Sequence, residues 1–137
     1  MTMKVGDIIE SASQAASLIL AELPRDETEE RLYVIPLSGS GGILSRPILV
    51  SVGVRDGETT VDAGAIFREA LKEGAEEIIV GHNHPSGRLN PSREDVEATR
   101  ELSDLAERLN VKFLDHLIVA RLKDGSANFV SLMELLD

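Results

Sequence analysis

Residues 77–109 constrain the fold more than any other stretch, because they pass from a continuous apolar run into a long amphipathic helix through a loop carrying two histidines. Glu77-Ile78-Ile79-Val80 reads as a buried strand, short and rich in β-branched residues. Residues 93–109 carry Ala98, Thr99, Leu102, Leu105, Ala106 and Leu109 on one face. Glu94, Glu97, Arg100, Glu101, Asp104, Glu107 and Arg108 lie on the other, as in a helix packed on a sheet. Asp95 falls in the middle of the apolar stripe and is the only charge there. An unpaired carboxylate in that position is costly and normally acquires a cation or hydrogen-bond donors.

The connecting loop supplies the means. His82 and His84 stand at i and i+2, so on an extended backbone both imidazoles point to the same side and can reach one cation. Asp95 is the candidate third ligand. Two histidine nitrogens and one carboxylate oxygen leave a fourth tetrahedral position for water, the open arrangement of catalytic zinc. Ser92, just before the helix, also reads as an N-cap with Asp95 as the N3 acid of a capping box. The two readings are compatible, since a hydroxyl held at the helix start can cap the backbone and also face the site.

The remaining pattern is α/β, without repeats. Residues 11–23 read as an opening helix ended by Pro24, and residues 32–37 as a strand. Ser38-Gly39-Ser40-Gly41-Gly42 reads as a hairpin turn into a strand over residues 43–52, rather than as a phosphate cradle, because no P-loop lysine or helix start follows. A second helix over residues 63–73 has Asp62 as N-cap and Gly74 as C′ residue. A strand over residues 111–120 and a hairpin through Lys123-Asp124-Gly125-Ser126 into residues 128–131 complete the sheet. Asp115 and His116 sit on opposite faces of that strand. Either is a satisfied core polar group or a partner that orients a ligating histidine from behind.

His82-x-His84, seven residues, then Ser92-x-x-Asp95 resembles the JAMM motif of MPN-fold metalloenzymes, and the fuller string GHNHPSG with PS and D following is similar to the RadC branch. Leu114-Asp115-His116 is similar to that family's downstream LDH segment, and the resemblance runs from about Arg31 onward. It implies an α/β MPN fold, cytidine-deaminase-like, with a mixed central sheet flanked by helices. Residues 1–137 would form one such domain, with residues 1–24 as an N-terminal helix packed on it. The resemblance also implies Zn²⁺ as cofactor, held by His82, His84 and Asp95, and a glutamate just before the first core strand as general base. The register assigns this to Glu30, with Glu29 and Glu27 as near alternatives in an otherwise solvated acidic connection. Ser92 would donate to a developing oxyanion, with Ser86, Asp115 and His116 as supporting residues. The chain departs from the RadC pattern in lacking the preceding helix-hairpin-helix region and over residues 49–60, where the usual glycine-threonine turn and proline-arginine are absent.

Hydrolysis of a peptide or isopeptide bond is therefore the leading expectation, with a peptide or protein as substrate. The family's customary name, DNA repair protein RadC, suggests a nucleic-acid role, and a non-catalytic MPN interaction domain is the third class. Charge bears on the second: 14 basic against 24 acidic residues give a formal net charge of −10, opposite to the basic patch that displaces counterions from phosphate. Arg93, Arg100 and Arg108 alternate with acids on a solvated helix face. No apolar run reaches a membrane span, and the first residues lack the pattern of a secretory signal, so a soluble, cytoplasmic domain is expected. Self-association is compatible with the sequence. With no cysteine, a metal site must use His, Asp or Glu.

Overall fold

A computed structural model describes residues 2–53 and 61–136; part of the 49–60 segment noted above lies outside the described residues. A five-stranded sheet runs in the order β2-β1-β3-β4-β5, from β1 (Arg31–Leu37), β2 (Ile48–Val52), β3 (Glu77–Asn83), β4 (Lys112–Arg121) and β5 (Ala127–Ser131). The helices are α1 (Ala12–Glu22), α2 (Ala63–Lys72), α3 (Arg93–Leu109) and α4 (Leu132–Leu136). β3 is the central strand, antiparallel to β1 and parallel to β4, with α3 as the crossover between the parallel pair. A mixed sheet flanked by helices is the α/β architecture expected of the sequence.

Alternation along β1 and β3 divides the core in two. Leu32, Val34, Ile78 and Val80 face one way, onto Ile66, Phe67 and Ala70 of α2 and Leu102 and Ala106 of α3. Tyr33, Ile35, Leu37 and Ile79 face the other, onto Ala15, Ala16 and Ile19 of α1. His82 continues the parity of Ile78 and Val80, so it emerges on the α2–α3 face. Because β1 is antiparallel to β3, the start of β1 lies beside the end of β3, with Leu32 opposite His82. Residues just before β1 and just after β3 thus share one end of the sheet.

Local signals set the ends of the elements. Ser11 caps α1 by accepting from Gln14 N–H, and Asp62 caps α2 by accepting from Ala65 N–H. Asn110 closes α3 in the left-handed conformation, with φ 58°. The guanidinium of Arg121 donates to the carbonyls of Leu20, Leu23 and Pro24, which ties the C-terminal end of α1 to β4. The turn over residues 38–42 is a closed hairpin turn, with Ser38 N–H donating to the Gly42 carbonyl and Gly41 N–H to that of Ser38. The strand expected over residues 43–52 is interrupted. Ile43 makes an isolated bridge to Leu37, and pairing resumes only at Ile48, after Pro47, which has no N–H to give to a ladder.

Candidate metal centre

The expected ligands converge at the end of β3. His82 and His84 are 2% and 5% exposed, Asp95 7% and Glu30 3%, so two carboxylates and two imidazoles share one buried volume. Asp95 Oδ1 lies 3.1 Å from His82 Nε2 and Oδ2 lies 3.2 Å from His84 Nε2, while the two Nε2 atoms are 3.2 Å apart. A tetrahedral zinc with bonds of about 2.0–2.1 Å separates its donors by about 3.3 Å. These three side chains therefore fit one such ion. Buried anions without a cation are strongly disfavoured, and the donor set is the nitrogen and oxygen set that zinc accepts.

Glu30 stands farther out. Its Oε1 is 4.0 Å from His84 Nε2, and its ligand atom lies within 4.8 Å of those of both histidines. The carboxylate can therefore either join the ion directly or face the position that His82, His84 and Asp95 leave open. Of its neighbours in the acidic connection, Glu27 pairs with the Arg31 guanidinium, and the Glu29 carbonyl accepts from the side chain of Asn83.

Asp95 reaches the cluster because of how α3 begins. Ser92 Oγ accepts from Asp95 N–H at 3.0 Å, and Asp95 Oδ2 accepts from Ser92 N–H at 2.9 Å, a reciprocal capping box. The same carboxylate caps the helix and faces the histidines. Burial alone would raise its pKa, but hydrogen bonds from His82 and His84 outweigh this and hold it well below the usual carboxylate range. Burial likewise opposes a charge on His84, and the Asp95 carboxylate overcomes it, raising the imidazole pKa. In the protein without metal, a proton on His84 supplies the positive charge that Asp95 demands.

A hydrogen-bond chain behind the histidines fixes which nitrogens face Asp95. Thr99 Oγ1 donates to the Asp95 carbonyl at 2.8 Å, so it accepts from His116 Nδ1 at 2.7 Å. His116 Nε2 is then left as an acceptor for His82 Nδ1–H at 2.9 Å, which turns His82 Nε2 toward Asp95 as the nitrogen that would meet a metal ion. His84 Nδ1 donates to the Arg88 carbonyl at 2.9 Å, and its Nε2 is turned toward Asp95 in the same way. His116 must be neutral for this, and complete burial, with the neighbouring His82 adding to it, lowers its pKa to about 3.

The supporting residues separate. His116 contacts a candidate ligand, whereas Asp115 turns away and accepts from Ser131 Oγ–H and Met133 N–H at the start of α4. Ser86 is exposed and accepts from Arg88 N–H. Thr99, read only as part of the apolar stripe, and Asn83, set between the two histidines, are participants that the sequence reading did not single out.

The chain matches known proteins over most of its length. Residues 9–135 fit the family model described as RadC-like JAB domain. A UPF0758 protein of Gloeothece citriformis is 40% identical over 111 residues, covering 81% of this chain and 43% of that protein. Another, of Clostridium perfringens, is 36% identical over 126 residues, covering 92% and 52% respectively. This chain spans about half the length of the curated relatives it matches. With residues 9–135 matched and these relatives 36–40% identical over more than four-fifths of this chain, the chain belongs to the RadC-like JAB domain family.

Proposed function

We propose that this domain is a zinc-dependent hydrolase that cleaves a peptide or isopeptide bond. The observation that carries the reading is the graded placement of the two carboxylates. Asp95 stands 3.1 and 3.2 Å from the histidine nitrogens, close enough to share an ion, and Glu30 stands 4.0 Å away, one step farther out. His82, His84 and Asp95 would hold zinc, which when bound supplies Lewis acidity and lowers the pKa of water toward about 7.

The chain's own groups supply the rest. Glu30 would accept the proton of the attacking water at a carboxylate oxygen and deliver it to the nitrogen of the leaving amine. Ser92 Oγ accepts from Asp95 N–H, which leaves its own O–H available to donate to the carbonyl oxygen as negative charge develops there. His116 and Thr99 would hold His82 in the tautomer that presents a bare Nε2.

Metal analysis and a screen of peptide and isopeptide-linked substrates with wild type and Glu30→Gln test the reading together. Stoichiometric zinc is expected in both proteins, with turnover lower in the variant by roughly 10²–10⁴, the range of general acid–base catalysis. Loss of zinc from Glu30→Gln would make Glu30 a ligand. Undiminished zinc affinity in His84→Ala would refute the ligand set, and a zinc-loaded wild type inert on every substrate would favour an interaction domain.

A further inference from the structure

We propose that Asn83 is the positioning residue that aims Glu30 at the histidines. Its carboxamide grips the peptide groups on both sides of Glu30. Asn83 Oδ1 accepts from Arg31 N–H at 2.6 Å, and Asn83 Nδ2 donates to the Glu29 carbonyl at 3.0 Å. One bond holds the peptide before Glu30 and the other the peptide after it. On the far side, Gly53 N–H donates to the Glu30 carbonyl at 2.7 Å.

These contacts occur where the regular ladder runs out. β1 and β3 pair from Leu37 opposite Glu77 to Leu32 opposite His82, and Glu30 lies beyond that last pair. A primary amide offers the same donor and acceptor as a peptide group. The Asn83 side chain therefore extends the sheet past its last backbone pair, and with both flanking peptides fixed, the Cα–Cβ direction of Glu30 is fixed as well. Asn83 is only 4% exposed, so its bonds face little competition from water.

The residue type follows from this task. Aspartate at position 83 would keep the acceptor for Arg31 N–H but replace the donor to the Glu29 carbonyl with a negative charge. Alanine would remove both bonds. Because Asn83 stands between His82 and His84, the metal-binding nitrogens and the carboxylate that serves them are carried by one short piece of strand. A displacement of about 1 Å in such a group can cost on the order of a hundredfold in rate.

The inference rests on Glu30 as the base for its catalytic consequence, but its structural content is testable without turnover. Zinc-loaded wild type, Asn83→Ala and Asn83→Asp would be crystallised, and amide exchange at Arg31 measured. In the alanine variant, zinc content should stay at wild-type level, Arg31 N–H should exchange faster, and the Glu30 carboxylate should leave its place beside His84 Nε2. The aspartate variant should keep Arg31 protected while still displacing the carboxylate. On a cleaved substrate, kcat should fall about ten- to a hundredfold in Asn83→Ala with KM little changed. The double variant with Glu30→Gln should be no slower than Glu30→Gln alone. An unmoved carboxylate, or full multiplication of the two losses, overturns the proposal. A displaced carboxylate in a domain with no turnover would uphold the clamp and refute the hydrolase reading, whereas full turnover with Glu30 in place would do the reverse.

Discussion

His82 and His84 differ in what stands behind them. The Nδ1–H of His84 goes to a backbone carbonyl, but that of His82 goes to a side chain that must itself be kept in one tautomer, His116. His116→Ala should therefore weaken zinc binding by about 10- to 100-fold, as loss of a partner to a ligating histidine generally does. His116→Gln, which can still accept from His82 and donate to Thr99, should lose less. Chelator competition measures both, and unchanged affinity in the alanine variant would remove His116 from the site. The His84–Asp95 pair makes a pH prediction for the metal-free protein. The raised His84 pKa gives stability that is complete below the ordinary histidine value of about 6.5 and is lost as pH rises through the folded value; the depressed Asp95 pKa gives stability present above about 3.9 and lost as pH falls. Thermal midpoints in chelator should show wild type exceeding Asp95→Asn most between about pH 4 and 6.5, with the gap narrowing on both sides. A gap independent of pH would mean that the pair is not charged as the geometry requires.

At the scale of elements, β3 carries a packing constraint as well as the histidines. A Cβ at Gly81 would lie 2.2 Å from Ile19 Cδ1 of α1, so the end of the buried Ile19 side chain fills the space that a larger residue at position 81 would need. Gly81→Ala should destabilise by about 1–3 kcal/mol, the usual cost of overpacking, and Ile19→Val, which removes the offending methyl, should recover part of it. Additive losses in denaturant unfolding would show that the two sites do not touch. Much of this layer was legible in the sequence. α3 spans Arg93–Leu109 as its periodicity requires, and the Ser92–Asp95 pair was readable as a cap because capping depends on residues three apart. What depended on distant partners was not. α4 is only five residues long, too short to form by propensity, and its first turn is held by Ser131 and by Asp115 from β4. The choice between Asp115 and His116 turned on strand register. β4 shifts by one residue between Phe113 and Asp115 opposite Ile78 and Ile79, and such a shift decides which of two neighbours faces α3. The role of Asn83 was hidden for a similar reason, since its partners are more than fifty residues away in the chain.

For the molecule as a whole, the sign of the charge sets what can approach the site. The formal net charge is −10, and among the described residues several basic groups are engaged locally: Arg31 with Glu27, Arg46 with Glu22, Lys72 with Glu69, Arg93 with Glu97, and Arg121 with the end of α1. Nucleic-acid affinity derives chiefly from neutralising phosphates and releasing their counterions, and a net negative surface opposes both. Nor do aromatics supply a stacking platform, since the chain has three phenylalanines, one tyrosine and no tryptophan, and Tyr33 and Phe67 are buried in the core. The domain by itself should therefore bind duplex and single-stranded DNA no more tightly than the non-specific range of about 10⁻⁴–10⁻⁶ M at physiological salt. Titration of the zinc-loaded domain against labelled DNA of both kinds checks this. Nanomolar binding that weakens steeply with added salt would overturn the expectation, and would point to a local basic surface that outweighs the overall charge.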